Sequence, residues 1–322
     1  MNEIREDLPV RGTGGEIKEA LYLTVITVGL FLSILFVPVA GFFLSMLTPA
    51  PTAVAIVRRN GARAWIVPGC SLVLGAGMLV ALGLPESVPY LFGLIGMGAV
   101  LGSGFRRGWP AGKLVGLSSL VVIGVAALFA LVGFIQTRGQ MVHLLEQDMR
   151  DVITAAMKQL GTGSPVKTED MGKDLLEMVP IVVSMMPGIL ISCTLMISWV
   201  NLLVCRRYCR GAAGYFGGEE RLCLWKSPEH LVWAVIAGGV MLLVPSSGLK
   251  LFGSNLILVL GTVYFFQGLA IVAFFFERWR VPLFVRGFVY AVFFLGRVVS
   301  MGVAVLGLFD VWFDFRKHNK QA

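Results

Sequence analysis

Long runs of apolar residues, separated by short polar stretches, make up most of this 322-residue chain. The runs are about 17 to 28 residues long, and roughly 20 apolar residues in a helix cross the hydrocarbon core of a bilayer. The polar start of the chain lacks a signal-peptide pattern, so the first run is predicted to be retained as a span. The pattern predicts an all-α, polytopic membrane helix bundle with about nine transmembrane helices. The predicted spans are 20–36, 40–57, 64–83, 88–105, 113–135, 179–205, 229–246, 254–276 and 282–308.

The second span is predicted to be broken. No charged residue occurs in 20–57, and a single helix of this length would measure about 57 Å, nearly twice the bilayer core. A hairpin turning at 38–41 therefore fits better. Pro49 and Pro51 then fall inside the second span, where each proline removes a backbone donor. Because broken backbone survives at membrane depth only when it is buried in protein or lines a cavity, this span should face something other than lipid.

Arginine clusters follow alternate spans, and the loops between them are nearly neutral or acidic. Because basic loops stay in the cytoplasm, this alternation places the N-terminus there and indicates an inner-membrane, multi-pass protein. A nine-span chain would put the weakly basic tail outside, so the side of the tail is left open. The clusters are Arg58, Arg59 and Arg63; Arg106, Arg107 and Lys113; Arg206, Arg207 and Arg210; and Arg278 and Arg280.

The only long loop, 136–178, is predicted to lie outside the cell. An apolar stripe from Met141 to Leu160 recurs at steps of three and four residues, which is typical of an amphipathic helix. Such a helix would either rest on the membrane surface or cover an outward-facing pocket as a lid. We divide the chain into a six-span unit, 1–210, which includes this loop, and a second part, 211–322, with three further spans and a polar tail.

Composition and motifs narrow the functional classes. The chain is 57% hydrophobic and 14% charged, whereas soluble domains carry about 25% charged residues. The net charge of +8 does not indicate nucleic-acid binding, because the arginines lie in short loops beside spans. No HExxH or GxSxG motif occurs, and the loop GWPAGK lacks the spacing and the Ser/Thr of a phosphate-binding loop. Cys205, Cys209 and Cys223 lack the spacing of a zinc site. We predict no enzymatic activity, cofactor or metal.

Polar residues within spans are the remaining candidates for a site. Arg286 and Arg297 lie eleven residues apart in the last predicted span, so a continuous helix would place them on one face, about 20° apart. Arg297 lies near mid-span, where a charge costs at least ~2.5 kcal/mol unless it meets a partner, water or an anionic group. Asn255 and Gln267 would either bind a ligand or bond helices together. The candidate ligand-binding residues are Pro49, Pro51, Asn255, Gln267, Arg286 and Arg297.

Several motifs together resemble the YybS-like family of uncharacterised bacterial multi-span membrane proteins. The resemblance covers most of the chain and is most distinctive at its end, GLFDVWFDFR. This family is similar to the S components of energy-coupling-factor vitamin transporters, which are six-helix membrane proteins. The residues that carry the resemblance are Pro49-x-Pro51, Arg59-x-Gly61, Asn255, Gln267-Gly268 and Gly307 to Arg316.

The resemblance implies a pocket between spans one and six, with the broken second span as one wall. S components dock on a membrane coupling subunit through an Ala-xxx-Ala pair, and the nearest equivalent here is Ala20-xxx-Thr24. Two functions follow as hypotheses. The chain either binds or transports a small molecule in the lipid bilayer, without an ATPase of its own, or it is a non-transporting scaffold for envelope or division proteins, similar to the MreD proteins.

Overall fold

A computed structural model describes residues 13–160, 165–209 and 222–316. All regular structure in these residues is helical, which confirms the predicted all-α class. The α-helices are α1 Thr13–Phe36, α2 Pro38–Ser45, α3 Pro49–Arg58, α4 Ile66–Ala81, α5 Val88–Arg106, α6 Ala111–Gln136, α7 Met141–Leu160, α8 Pro165–Tyr208, α9 Leu231–Leu243, α10 Ser247–Arg278, α11 Leu283–Leu295 and α12 Arg297–Phe313. Short 3-10 turns lie at Gly61–Trp65, Pro85–Ser87 and Leu222–Leu224.

The described residues contain seven helices long and apolar enough to cross a membrane, or eight if one bent pair is a single span. Two of the nine predicted spans therefore need correction. The seventh is the 13-residue helix α9, which at about 20 Å is shorter than the hydrocarbon core. The ninth is not one helix, because α11 and α12 meet at Gly296 with a bend of 100°.

The chain divides into two compact units that do not follow the order of the sequence. Unit 1 is formed by the described parts of Met1–Ala126 and Leu195–Glu219, and unit 2 by the described parts of Ala127–Thr194 and Glu220–Ala322. The predicted boundary at residue 210 lies outside the described residues. The loop helix α7 and the first part of α8 thus belong with the C-terminal helices.

In unit 1 the predicted hairpin between the first two spans is confirmed. The chain turns at Val37, and α2 returns against α1. Ser33 Oγ donates to the carbonyl of Gly41 at 3.1 Å. A Cβ atom at Gly41 would clash with the Ser33 carbonyl, so glycine is what allows the two backbones to touch.

The second span is discontinuous as predicted, but the break precedes the prolines. Residues 46–48 form a tight turn, and Pro49 and Pro51 lie in the first turn of α3. A proline leaves the carbonyl four residues earlier without its helical donor. The two carbonyls affected here belong to Ser45, which accepts from the Thr48 hydroxyl at 2.6 Å, and Leu47, which accepts from the Ala50 N–H at 3.0 Å.

One further carbonyl at this break is bonded by a buried asparagine. The Ala50 N–H bonds Leu47, so the Met46 carbonyl has lost its donor from the next turn. Asn201 of α8, which is 0% exposed, donates from Nδ2 to Met46 O at 2.8 Å. The side-chain amide therefore supplies the hydrogen bond that the helix lacks.

Helix α3 is enclosed by protein. All nine residues from Pro49 to Val57 are buried. Cβ atoms at Gly98 or Gly102 of α5 would collide with the Pro49 and Ala53 carbonyls of α3, so these glycines permit close backbone approach. The expectation that the broken span faces something other than lipid is confirmed for α3, which packs on α5. In α2, Phe42 and Phe43 are 50% and 64% exposed, so that half of the span is not enclosed by the described residues.

The basic loops of unit 1 converge at one end. Arg58 pairs with Glu19 at 3.2 Å and donates to the Tyr208 carbonyl at 2.9 Å. Arg63 pairs with Glu16 at 2.9 Å, and Arg106 donates to the Arg59 carbonyl at 3.1 Å. The start of α1, the end of α8 and the loops after α3 and α5 therefore lie together. This is the arrangement that alternating arginine clusters predict.

The long predicted loop contains a helix, as its periodicity indicated. Helix α7 covers Met141–Leu160, and part of it packs on α8, where a Cβ at Gly172 would lie 3.0 Å from Met157. Val152, from the predicted apolar stripe, is 68% exposed. The linker at 161–164 lies outside the described residues. Whether α7 rests on the membrane or acts as a lid stays a prediction.

Candidate functional site

A group of buried polar side chains lies in unit 2, where α12 crosses α10. Two glycines allow this crossing, because a Cβ at Gly268 would collide with the Val303 carbonyl and one at Gly307 with the Tyr264 carbonyl. The two helices thus run antiparallel in backbone contact. The polar centre, as we call this group, comprises Ser227, Gln267, Asp310 and Arg316, all buried.

Asp310 is the hub of the polar centre. Its carboxylate is 0% exposed and accepts from Gln267 Nε2 at 3.0 Å, from Arg316 Nη2 at 2.5 Å and from the Phe315 N–H at 3.0 Å. Asp314 ends α12 in the left-handed region at φ 41°, which turns the chain back. This turn brings Arg316, with a side chain only 4% exposed, onto Asp310.

The polar centre holds a stretch of non-helical backbone. Between the turn Leu222–Leu224 and α9, residues 225–230 form no helix. Arg316 Nη1 donates to the carbonyls of Cys223 at 3.0 Å and Trp225 at 2.9 Å. Gln267 Oε1 accepts from the Ser227 N–H at 3.1 Å and its hydroxyl at 2.5 Å. These side chains supply the hydrogen bonds that the next turn of a helix would supply. Backbone groups that are shielded from water need such partners.

The polar centre lies deep along α10. Residues 251–276 of this helix carry no charge, and Gln267 precedes Glu277 by ten residues. Ten residues of α-helix measure about 15 Å, roughly half the hydrocarbon core. Gln267 therefore lies about 15 Å from Glu277 along α10, within the uncharged stretch of this helix. A buried ionisable pair beside an apolar helix of membrane-spanning length is a candidate functional site.

A second ion pair borders the polar centre and is more open. Lys226 Nζ lies 2.7 Å from Asp314 Oδ1, with side chains 45% and 12% exposed, respectively. Cys223 Sγ lies 3.5 Å from a carboxylate oxygen of Glu277. Arg316 and Lys226 thus balance Asp310 and Asp314.

Among the candidate residues, only Gln267 belongs to the polar centre. Asn255 accepts from the Gly188 N–H at 2.6 Å and donates to the Ser184 carbonyl at 3.1 Å. These two groups are a helical i, i−4 pair beside Pro187, inside α8. The amide of Asn255 therefore bridges two backbone groups of a helical turn that a proline disturbs, which is the helix-bonding role.

Arg286 and Arg297 do not share a helix face, contrary to the prediction. Gly296 separates them, and the 100° bend there assigns them to different helices, α11 and α12. Arg286 Nε and Nη2 donate to the Val281 and Phe276 carbonyls at 2.8 and 3.0 Å, at the end of α10. The side chain of Arg297 lies outside what the structure describes.

Pro49 and Pro51 lie in unit 1, whereas the polar centre is formed within unit 2. Sequence reasoning did not select Ser227, Asp310 or Arg316 as site residues. Their signal was present in the distinctive ending GLFDVWFDFR, where two acids and an arginine follow a long apolar run. Asn201 was also missed, although it is the one amide in the sixth predicted span.

Comparison with known proteins agrees with the membrane architecture. The sequence model of the family described as Predicted membrane protein (DUF2232) matches residues 25–311, most of the chain. The chain is a DUF2232 membrane protein. In this DUF2232 chain the match includes Gln267 and Asp310 and ends before Asp314 and Arg316. No curated protein and no solved structure matches it.

The described residues contain no group of three or more His, Cys, Asp or Glu side chains that could hold a metal ion. The five cysteines are free, and three of them, Cys205, Cys209 and Cys223, are buried. What the polar centre offers is hydrogen bonding and charge. Of the five N–H groups of Arg316, three are used by Asp310, Cys223 and Trp225.

Proposed function

We propose that this DUF2232 protein binds a small solute within the bilayer and serves as the membrane-embedded binding or transport subunit of a system whose ATPase is a separate chain. The observation that carries the proposal is the non-helical stretch 225–230, held against the apolar helix α10 by Gln267, Asp310 and Arg316. Interrupted helices near the midplane, with exposed backbone groups, are where secondary transporters place their substrate and ion sites.

Stability alone is a poor explanation for the polar centre. The electrostatic attraction within a buried ion pair offsets little more than the free energy of desolvating its two charges. Replacing such a pair with apolar residues is therefore often neutral or stabilising. Arg316 Nε is buried with no partner among the described residues. An unpartnered buried donor costs about 1–3 kcal/mol. A bound solute or water that accepts from Nε would remove this cost.

The spare hydrogen-bonding capacity favours a solute rich in acceptor oxygens. Arg316 retains its Nε N–H, and one N–H of the Gln267 amide is not used by the described bonds. Both lone pairs of Gln267 Oε1 are occupied by Ser227. The exposed Lys226 beside them supplies a route for water, because a charged ammonium is not stable against lipid.

The family resemblance supports the same class of function. In this proposal the protein lies in the bacterial inner membrane with its N-terminus in the cytoplasm. The arginines at and after the end of α3 pair with the start of α1, and the ends of α8 and α5 bond to the same arginines. The similarity of YybS-like proteins to S components supports a membrane coupling subunit as partner. Solute contact at Pro49 and Pro51 stays a weaker part of the proposal, because these prolines are buried against packed helix.

A scaffold for envelope or division proteins is the second candidate, and one observation favours it. Asn255 and Arg286, predicted to bind ligand, bond main-chain groups of their own bundle. Bonds of this kind hold helices together and leave the side chain little freedom to bind a solute.

The experiment is native mass spectrometry of the purified chain, followed by thermal unfolding with each small molecule that co-purifies. A ligand of the native state raises the unfolding temperature by mass action. We expect Lys226→Gln to reduce this stabilisation and Lys250→Gln, an exposed lysine on α10, to leave it unchanged. Absence of any stabilising molecule, with envelope proteins retained instead, would favour the scaffold.

A further inference from the structure

We infer that the loop between α5 and α6 is a phosphate-binding site that takes the headgroup of an anionic phospholipid. The site consists of Arg107, Trp109 and Lys113, in unit 1. None of these three residues belongs to the polar centre or to the candidate ligand-binding residues named above. Two observations support this inference. Arg107 and Lys113 lack a carboxylate partner among the residues that the structure describes, and both contact the ring of Trp109.

The loop has a fixed shape. Gly108 adopts φ +67°, a left-handed conformation that glycine tolerates best. This lets the Trp109 N–H donate to the Gly104 carbonyl at 3.1 Å, which closes the end of α5. A Cβ at Gly104 would lie 2.6 Å from the indole, so the Trp109 ring is seated directly on the helix backbone.

Two cations share this one ring. The guanidinium carbon of Arg107 lies 5.4 Å and the ammonium of Lys113 lies 4.6 Å from the centre of the Trp109 ring. Each distance is within the range of a cation–π contact. The two positive groups are thus held near each other by the ring, although like charges repel.

Arg107 and Lys113 are also the cations of this loop that lack an anion. Both are exposed, and neither pairs with a carboxylate in the described part of the chain. The neighbouring arginine is different, because Arg106 bonds the Arg59 carbonyl and Asn60 Oδ1 at 3.1 and 2.9 Å. One arginine of the adjacent pair is therefore structural, and the other is left facing outward beside a lysine.

The location determines the class of anion. The loop joins two helices that each have the length and hydropathy of a membrane span, so it lies at a membrane surface. Tryptophan is favoured at that interface, with lysine and arginine beside it. The first N–H groups of α6, a 26-residue helix, add partial positive charge. A phosphodiester headgroup reaches this position from the bilayer and supplies the missing negative charge.

The test uses the full chain purified in neutral detergent. Its thermal unfolding is followed while phosphatidylglycerol, phosphatidylcholine or inorganic phosphate is added. Each surface cation contributes about 1 kcal/mol to binding of anionic lipid, which corresponds to about fivefold in affinity. We expect Arg107→Gln/Lys113→Gln to bind phosphatidylglycerol roughly 25-fold more weakly. The matched control is Lys18→Gln/Arg207→Gln, which removes the same charge from two exposed positions of unit 1.

The outcomes separate the sources of phosphate. Stabilisation by phosphatidylglycerol alone, lost in the first variant and kept in the control, supports the lipid site. Equal stabilisation by inorganic phosphate, lost in the same variant, keeps the phosphate chemistry but overturns the lipid assignment. An equal loss in both double variants would show a general effect of net charge and would overturn the site.

Discussion

Removing the charge of Asp310 tests whether the polar centre is buried as deeply as its geometry indicates. In Asp310→Asn the shape of the side chain is kept, but Arg316 loses its counter-charge while it remains 4% exposed. Breaking a buried ion pair on one side costs about 3–5 kcal/mol, because a charge is left without compensation. Gln267 and the Phe315 N–H also donate to this carboxylate, so we expect a value in the upper half of that range.

The neighbouring pair supplies an internal control. The side chain of Lys226, paired with Asp314, is 45% exposed. Exposed pairs contribute about 0–1 kcal/mol. Because only Lys226 of this pair is exposed and Asp314 is buried, Lys226→Gln should lower the free energy of unfolding by about 1 kcal/mol, clearly less than Asp310→Asn.

A double variant separates the ion pair from the other contacts. In Asp310→Asn/Arg316→Met both charges are gone, and the remaining cost comes from the hydrogen bonds that Arg316 donates to the Cys223 and Trp225 carbonyls. Loss of such a buried hydrogen bond costs about 1–3 kcal/mol. The double variant should thus be more stable than the sum of the two single changes predicts, by about 2–3 kcal/mol.

The assay is reversible unfolding in mixed micelles, with a denaturing detergent added stepwise and helix content followed by circular dichroism. Folded yield at the start of each titration shows whether a variant reaches the native state. If Asp310→Asn costs no more than Lys226→Gln, the carboxylate of Asp310 is solvated. The depth that we assign to the polar centre would then be wrong, and with it the main support for the proposed function.

Three further predictions address packing and topology. Gly98→Ala should destabilise the chain by about 1–3 kcal/mol, because the new Cβ would meet Pro49 and Thr52 of α3. The control Gly116→Ala should be neutral, because a Cβ at Gly116 meets open space. Unfolding in mixed micelles measures both variants. Asn255→Leu should lower the free energy of unfolding by about 1–2 kcal/mol in the same assay. An unchanged free energy would show that the backbone hydrogen bonds of α8 near Pro187 form without Asn255. A cysteine in place of Arg107 should react with an impermeant reagent only from the cytoplasm, and reaction from outside would refute the predicted orientation.

The sequence was most informative where one residue type has one physical consequence. A run of 38 uncharged residues, 20–57, is too long for one crossing, and the hairpin at Val37 is what the structure shows. Pro49 and Pro51 predicted a broken span, and α2 and α3 are separate helices. The exact position of the break was not predictable, because proline is tolerated in the first turn of a helix and moves the irregular residues ahead of it.

Hydropathy alone does not predict where helices stop in the C-terminal part of the chain. Residues 229–246 are apolar enough for a span, but helix forms only over Leu231–Leu243, and the preceding residues are held by Arg316 and Gln267. Those side chains come from distant parts of the chain, so no local pattern reports the contact. The same holds for Gly296, which falls within an apolar run yet separates α11 from α12.

A single rule connects the interrupted helices of the two units. In unit 1 the amide of Asn201 bonds the Met46 carbonyl that the break leaves open, and in unit 2 the amide of Asn255 bridges two backbone groups beside Pro187. Both are side chains from another helix, and both replace bonds that water would supply in a soluble protein. Polar residues in these spans should therefore first be assigned to breaks in neighbouring helices. By that criterion the hydrogen bonds of Asn255 are explained by the turn beside Pro187. The Nε N–H of Arg316, in contrast, has no acceptor among the described residues. We therefore expect a solute at the polar centre and not at Asn255.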